Sequence, residues 1–303
     1  MPHDTRSWER GVIHRTYPMR SAARYWMHSY GPDYLAFILL ISAYLLILLF
    51  VEPFHRMFFI NDLHLQYPHA LVERVSVTWN IIYAGIVPLI ILIIWLFANK
   101  SSYHKSNVTI LGFFISIALT VFISDTIKNS VGRPRPDLIA RCKPAPGTPE
   151  NTLVTFAVCT ETNHHLLHDG WRSFPSGHSS FAFSGLGYLA LFFAGQLHVF
   201  SSNSGLLKFL LAFAPILSAT MIAISRCEDY RHDVYDVTCG MIIGISTAYF
   251  SYRRYFPRLS SPRCDEPLKP KVSNSNEEFA KLKNDEEVAR AGRDFEGSDT
   301  DEI

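Results

Sequence analysis

Residues 77–97 read VTWNIIYAGIVPLIILIIWLF, an unbroken apolar run without a single charged side chain. A bilayer core of about 30 Å takes about 20 helical residues, so this run is long enough to cross one. On either side of it lie five more apolar stretches: Tyr34 to Val51, Val108 to Ile127, Phe181 to Ala194, Leu206 to Ile224 and Val237 to Phe250. Those starting at Phe181 and Val237 are short and need flanking residues, Ser179 and Ser180 or Ser251 and Tyr252, to complete a span; a re-entrant or buried helix is the alternative for each. Only helices and closed barrels satisfy their backbone groups in lipid. Runs this long without period-two alternation exclude the barrel. The fold class expected is all-α: a polytopic membrane protein with six transmembrane helices in a bundle.

Composition agrees. Of 303 residues, 48% are hydrophobic and 14% aromatic, and only 18% are charged, against about 25% in soluble proteins. That excludes disorder for most of the chain and disfavours an ordinary cytosolic enzyme. The 28 basic and 27 acidic residues nearly cancel, so no nucleic-acid partner is expected. The first apolar run starts after 33 residues and lacks a small-residue cleavage site, so an uncleaved anchor is expected rather than a signal peptide. Arg6, Arg10, Arg15, Arg20 and Arg24 precede the first span, Arg253, Arg254, Arg258 and Arg263 follow the last, and Lys100 and Lys105 lie between the second and third. Basic residues mark the cytoplasmic side, which places both termini there. The expected organisation is a cytoplasmic Arg-rich segment (1–33), a six-helix membrane domain (34–258) and an acidic tail (259–303). That tail carries too little apolar surface to offset its ordering entropy.

The ionisable residues fall in three clusters at span ends. Lys128 and Arg135 follow the third span; Ser176-Gly177-His178 precede the fourth; Arg226 ends the fifth, with His232 and Asp236 opening the sixth. Two spans separate the second cluster from the third, so all three meet on one face, the non-cytoplasmic one. Ionisable groups at such positions are a functional-site hypothesis by default. Three cations converging without enough nearby carboxylates call for an anion with several oxygens, and arginine offers phosphate a bidentate fork. Ser176-Gly177-His178 would open a helix, where free N–H groups and the dipole favour phosphate. His232 and Asp236, at i and i+4, share a helix face; the carboxylate can hold one ring nitrogen and leave the other as nucleophile. His178 would then protonate the leaving oxygen, giving a bell-shaped pH profile. The set reads as phosphoryl transfer with no metal and no cofactor. Asp125, one turn before Lys128, is expected to pair with it or orient it.

Lys128-(six residues)-Arg135-Pro136, Pro175-Ser176-Gly177-His178 and Ser225-Arg226-(five residues)-His232-(three residues)-Asp236 resemble the three-part signature of the type 2 phosphatidic acid phosphatase and lipid phosphate phosphatase superfamily. Phe59-Ile60-Asn61-Asp62, Tyr67-Pro68-His69, Gly132-Arg133-Pro134-Arg135-Pro136-Asp137 and Glu228-Asp229-Tyr230-Arg231-His232 are similar to its fungal diacylglycerol pyrophosphate phosphatase branch. The resemblance covers roughly Val51 to Pro257. It implies six transmembrane helices, cytoplasmic termini, a lumenal or extracellular site, and magnesium-independent hydrolysis of phosphatidate, diacylglycerol pyrophosphate and related lipid phosphates. By position, His232 would form a phosphohistidine, Asp236 would orient it, and His178 would serve as acid and then base. Lys128, Arg135, Ser176, Gly177 and Arg226 would hold the equatorial oxygens. Arg133, Arg172 and Arg231 fall outside the matched positions and are treated as supporting or surface residues. The membrane implied is an endomembrane, vacuolar or Golgi, or the plasma membrane.

Within the same chemistry, sphingoid-base phosphates or polyisoprenyl pyrophosphates are alternative substrates. A transporter is a reading from a different class, but it calls for charges near mid-span and broken helices in paired positions. A non-catalytic lipid-binding relative is another, against which the intact His178, His232 and Asp236 speak. Cys142 and Cys159 lie in the expected non-cytoplasmic loop, where a disulfide persists; they are expected to pair, two free thiols being the alternative. Cys227 and Cys239 are expected to pack, while Cys264 is a weak candidate for palmitoylation. Asn99-Lys100-Ser101 and Asn107-Val108-Thr109 are formal glycosylation sequons that this topology leaves bare.

Overall fold

The computed structural model describes residues 26–270; most of the Arg-rich segment and of the acidic tail lies outside them. Six long helices correspond to the six apolar stretches: α1 (Gly31–Phe50), α2 (Val77–Ala98, with a π-helical turn over Ile82–Ile86), α3 (Tyr103–Val131), α6 (Gly177–Gln196), α7 (Leu206–Glu228) and α8 (Val234–Tyr255). Two short helices, α4 (Leu138–Cys142) and α5 (His164–Asp169), lie in the connection between α3 and α6. Among the described residues there is no strand, only two isolated bridges, Phe58 with Val154 and Pro144 with Cys159.

Four helices, α1, α2, α3 and α7, are long and apolar enough to cross a membrane. Many apolar side chains of α1, α2 and α7 point outward: Leu49, Phe97 and Met221 are mostly exposed. A soluble protein rarely leaves so much contiguous apolar surface bare, whereas lipid accepts it. α6 and α8 reach 20 and 22 residues, longer than their apolar cores: glycines and serines extend α6, and Val234, Tyr235 and Asp236 with Ser251 to Tyr255 extend α8.

That composition follows from position. α6 sits centrally and is buried along most of its length, so it trades bulk for close approach. Lipid gives helices no hydrophobic reason to associate, and small residues with interhelical hydrogen bonds take over. A side chain at Gly185 would meet the Ala84 carbonyl oxygen of the π-helical turn, and one at Gly244 the Ser180 carbonyl oxygen. Ser116 and Ser124 of α3 bond Ser184 and Ser180 of α6 at 2.8 and 2.9 Å, and Thr120 bonds Thr247 of α8. Large residues fill the remaining core: Phe183, Leu186, Ile222 and Val237 pack together.

Beyond the bundle end that holds the C-terminus of α3, the α1–α2 and α3–α6 connections fold on each other into a cap. Phe58, Leu65, Leu138, Val154, Leu167 and Trp171 make a second apolar core there. The Cys142–Cys159 disulfide, expected from the sequence, joins this layer. At the opposite end, residues 259–268, expected to begin the tail, fold back on the bundle. Leu268 N–H donates to Tyr255 O at 2.8 Å, and the Cys264 thiol, 1% exposed, faces Gly195 O. Burial corrects the palmitoylation candidate, since an acyl transferase needs an accessible thiol.

Candidate active site

Four helix ends converge beneath the cap. α3 contributes Lys128 in its last turn, then stops at Gly132, whose backbone is left-handed (φ +56). A side chain there would also clash with the Phe54 carbonyl oxygen, so only glycine fits this turn. The turn redirects the chain and brings Arg133 and Arg135 back across the bundle end. Arg135 N–H then bonds Gly170 O at 2.8 Å.

α6 begins at Gly177, capped by the Ser176 hydroxyl, which accepts from Ser179 N–H and Oγ. Ser176 N–H is engaged by Asp236 O at 2.9 Å. The N–H groups of Gly177 and His178 have no acceptor among the described residues and lie at the positive end of the helix. Lys128 Nζ points at this terminus: a Cβ on Gly177 would stand 3.2 Å from it.

A cavity of about 700 Å³ opens here, lined by Lys128, Arg135, Gly177, His178, Arg226 and His232 together with Arg172, Arg231, Glu73 and Asp169. Six of the eight residues singled out from the sequence thus share one cavity. Ser176 lies behind it as the helix cap, and Asp236 behind His232. A second cavity, about 990 Å³ and lined by Phe54, Phe58, Phe59, Arg133, Ser173 and Asp236 among others, also reaches His232. That imidazole is the wall between the two.

Lys128, 7% exposed, has no hydrogen bond or ion pair among the described residues. The other cations are partnered, correcting the expectation that carboxylates are too few. Arg226 pairs with Glu73 at 2.9 Å and Asp229 at 2.6 Å, and Arg135 with Asp169 at 2.8 Å. Glu73 and Asp169 come from loop and short-helix segments whose hydropathy gave no sign of their destination. Asp229, three residues after Arg226 on the helical repeat, was readable. Asp125 bonds Arg172 at 3.1 Å rather than Lys128, because the returning loop presents a guanidinium to its outer side. Burial would raise the Asp169 carboxyl, but Arg135 and Arg141, then Lys128 and Arg231, hold it below the usual carboxylate range.

His232 is 4% exposed. Arg135 Nη1 lies 3.4 Å from its Nε2. A guanidinium only donates, so Nε2 presents its lone pair at this contact and the proton sits on Nδ1. Nδ1 faces Asp236 Oδ2 at 3.7 Å, an ion-pair distance too long for a hydrogen bond, and it is otherwise unpartnered. Burial, with the Arg135 and Lys128 cations, lowers the His232 pKa to about 3, keeping the ring neutral. His178 Nε2 is likewise buried without a partner. Asp236 is held by Ser173 Oγ, Asp233 N–H and Arg133, three donors absent from the sequence expectation.

The apolar helical bundle thus carries a basic cavity that holds His178 and His232 together with Lys128, Arg135 and Arg226, the arrangement of a membrane protein that handles phosphate. The chain belongs to the PAP2 superfamily, whose sequence pattern matches residues 109–260. It is 42% identical over 229 residues to "Diacylglycerol pyrophosphate phosphatase 1" of Saccharomyces cerevisiae, spanning 74% of this chain and 78% of that one. It is 36% identical over 236 residues to "Probable diacylglycerol pyrophosphate phosphatase 1" of Schizosaccharomyces pombe, spanning 77% and 84%. "Lipid phosphate phosphatase 2" of Arabidopsis thaliana is 34% identical over 238 residues, spanning 78% and 79%.

Proposed function

We propose that this protein is an integral-membrane lipid phosphate phosphatase that works through a phosphohistidine, with no metal. One observation carries the mechanism: Lys128, Arg135, Gly177, His178, Arg226 and His232, from three separated segments, line one cavity. An unpaired buried ammonium is costly, and a phosphate beside Lys128 offsets that cost. The guanidinium groups of Arg135 and Arg226, held by carboxylates, are oriented before substrate arrives. With the Gly177 and His178 N–H groups they face the three equatorial oxygens, where transition-state charge is spread.

His232 Nε2 attacks phosphorus with its lone pair. The bond from phosphorus to the lipid or pyrophosphate oxygen breaks, and that oxygen takes a proton from His178. Water then attacks the phosphohistidine and gives a proton to His178; the P–N bond breaks, phosphate leaves, and His232 is neutral again. Asp236 stabilises the Nδ1 side while the ring carries positive charge.

The names of the relatives make phosphatidate and diacylglycerol pyrophosphate the first substrates to try, with sphingoid-base phosphates and polyisoprenyl pyrophosphates next. On this reading all six long helices cross the bilayer, residues 34–258 form the catalytic domain, the termini are cytoplasmic and the cavity opens on the non-cytoplasmic face of an endomembrane or the plasma membrane. The deciding experiment measures phosphate release by detergent-purified protein with excess chelator, beside His232→Ala. Vanadate-sensitive turnover that survives chelation and disappears in the variant supports the mechanism. Undiminished activity in the variant removes the nucleophile, and loss with chelator alone requires a metal.

A further inference from the structure

Arg133 stands outside the phosphate cavity. It lines the larger one, on the far side of His232, so it is not placed to hold the phosphoryl oxygens. Its guanidinium is forked between two carboxylates: Nη1 donates to Asp236 Oδ1 at 2.5 Å and Nη2 to Asp233 Oδ2 at 3.1 Å. Its backbone is fixed on both sides, by the left-handed turn at Gly132 and by Ser173 N–H donating to Arg133 O at 3.1 Å. Ser173 Oγ in turn donates to the other oxygen of Asp236. The Asp236 carboxylate is fully buried and held from both ends, with one edge turned to His232 Nδ1.

We propose that Arg133 is a positioning residue for the reaction: it fixes the Asp236 carboxylate against the Nδ1 edge of His232 and shares its negative charge. The inference rests on reading His232 as the nucleophile. An Asp236 facing His232 with its full charge would stabilise the imidazolium, whose Nε2 carries a proton and cannot attack. An Asp236 free to rotate would abandon the ring as it became cationic. Arg133 prevents both. It does so between two opposed carboxylates, so Asp233 sets how much of the guanidinium Asp236 receives.

The other charged groups facing His232 come from every neighbouring element. They are Lys128 from α3, Arg135 from the turn after it, His178 from α6, Arg226 from the end of α7 and Asp236 from α8. Glu73 and Asp169, which line the same cavity, are paired, the former with Arg226 and Arg231 and the latter with Arg135. Arg133 reaches the ring only through Asp236, and this makes its effect separable.

The test is the pH dependence of kcat and kcat/KM on phosphatidate in detergent micelles, for the wild-type full-length chain, Arg133→Gln, Arg133→Lys and Asp233→Asn. In Arg133→Gln, kcat should fall on the order of tenfold while KM stays within about twofold. Its acid limb should move to higher pH by about half a unit or more, since an unshared carboxylate favours the imidazolium. Arg133→Lys, keeping the charge, should restore part of kcat and return the limb toward wild type. Asp233→Asn keeps a good helix cap and frees the whole guanidinium for Asp236, so its limb should move the opposite way, to lower pH. An Arg133→Gln enzyme whose rate tracks only its folded fraction, with an unmoved limb, overturns the proposal. So does a raised KM with kcat intact, which would put Arg133 on the headgroup. If Arg133→Gln does not fold, Asp233→Asn decides: a limb moved down supports the proposal and an unmoved one overturns it. A wild-type protein inactive on every lipid phosphate would instead defeat the functional reading, a result distinguishable from either.

Discussion

Arg135 is clamped to Asp169 by two separate contacts: its Nη2 donates to Oδ1, and its Nε to the backbone carbonyl of the same residue, each at 2.8 Å. The other carboxylate oxygen takes Arg141 Nη1 at 3.0 Å. The aim of a phosphate-facing guanidinium is therefore set by a residue on the short helix α5, far from it in sequence.

Asp169→Asn should leave the backbone-carbonyl contact and weaken the other. Arg135 then loses its preset direction, and KM for lipid phosphate should rise on the order of tenfold, with a smaller change in kcat. Asp169 also ties stability to pH. Its folded pKa lies below its unfolded value, so its contribution is present above about pH 4 and lost as pH falls toward the folded value. Acid unfolding of the variant in detergent should lack that part of the dependence. A variant with unchanged KM would show that Arg135 needs no such clamp.

The acid limb of kcat/KM reports the free enzyme. With the His232 pKa lowered to about 3 by burial and by Arg135 and Lys128, the nucleophile stays neutral well below the ordinary histidine value of about 6.5. The limb should fall between those two values. Because the unfolded chain binds that proton more readily, this group makes stability rise with pH through the same window. A limb at or above 6.5 would mean that His232 is not held in this environment during turnover.

Gly244 tests the packing that positions the site. A side chain there would stand 2.3 Å from Ser180 O and 2.8 Å from Phe183 Cβ, one turn along α6 from His178. Gly244→Leu should separate α8 from α6, lower the melting temperature in detergent by several degrees through overpacking of about 1–3 kcal/mol, and reduce turnover. Gly205→Ser, at the N-cap of α7 where nothing lies within 4 Å and serine caps as well as glycine, should change neither. Equal behaviour of the two variants would dismiss close approach as the reason for glycine at 244.

Orientation is open to a glycan test. Asn151-Thr152-Leu153 lies in the cap, with Asn151 exposed, and Leu153→Thr completes a sequon there. Expression in a glycosylating host should add an endoglycosidase-sensitive mass at Asn151 in that variant and nothing at Asn99 or Asn107. Glycan on Asn99 or Asn107 would invert the topology.

The four long apolar helices α1, α2, α3 and α7 were legible in the sequence because lipid imposes a length and a polarity that a crossing helix must meet. The run from Val77 to Phe97 became α2 almost to the residue. The Phe181 and Val237 runs were read short, since the glycines and serines that extend α6, and Asp236, Ser251 and Tyr252 in α8, look polar until a neighbouring helix covers them. Six of the eight residues singled out from the sequence line one cavity, because spacing along a helix survives in sequence and ionisable groups at helix ends stand out against apolar runs. What only the tertiary structure decided is how that charge is compensated. Glu73, Asp169 and Ser173 reach the site from the folded cap, and Arg133 turns away from the phosphate toward Asp236 and Asp233. Coulomb energy depends on distance through space, and chain order says nothing of which distant loop brings a carboxylate within 3 Å of a guanidinium.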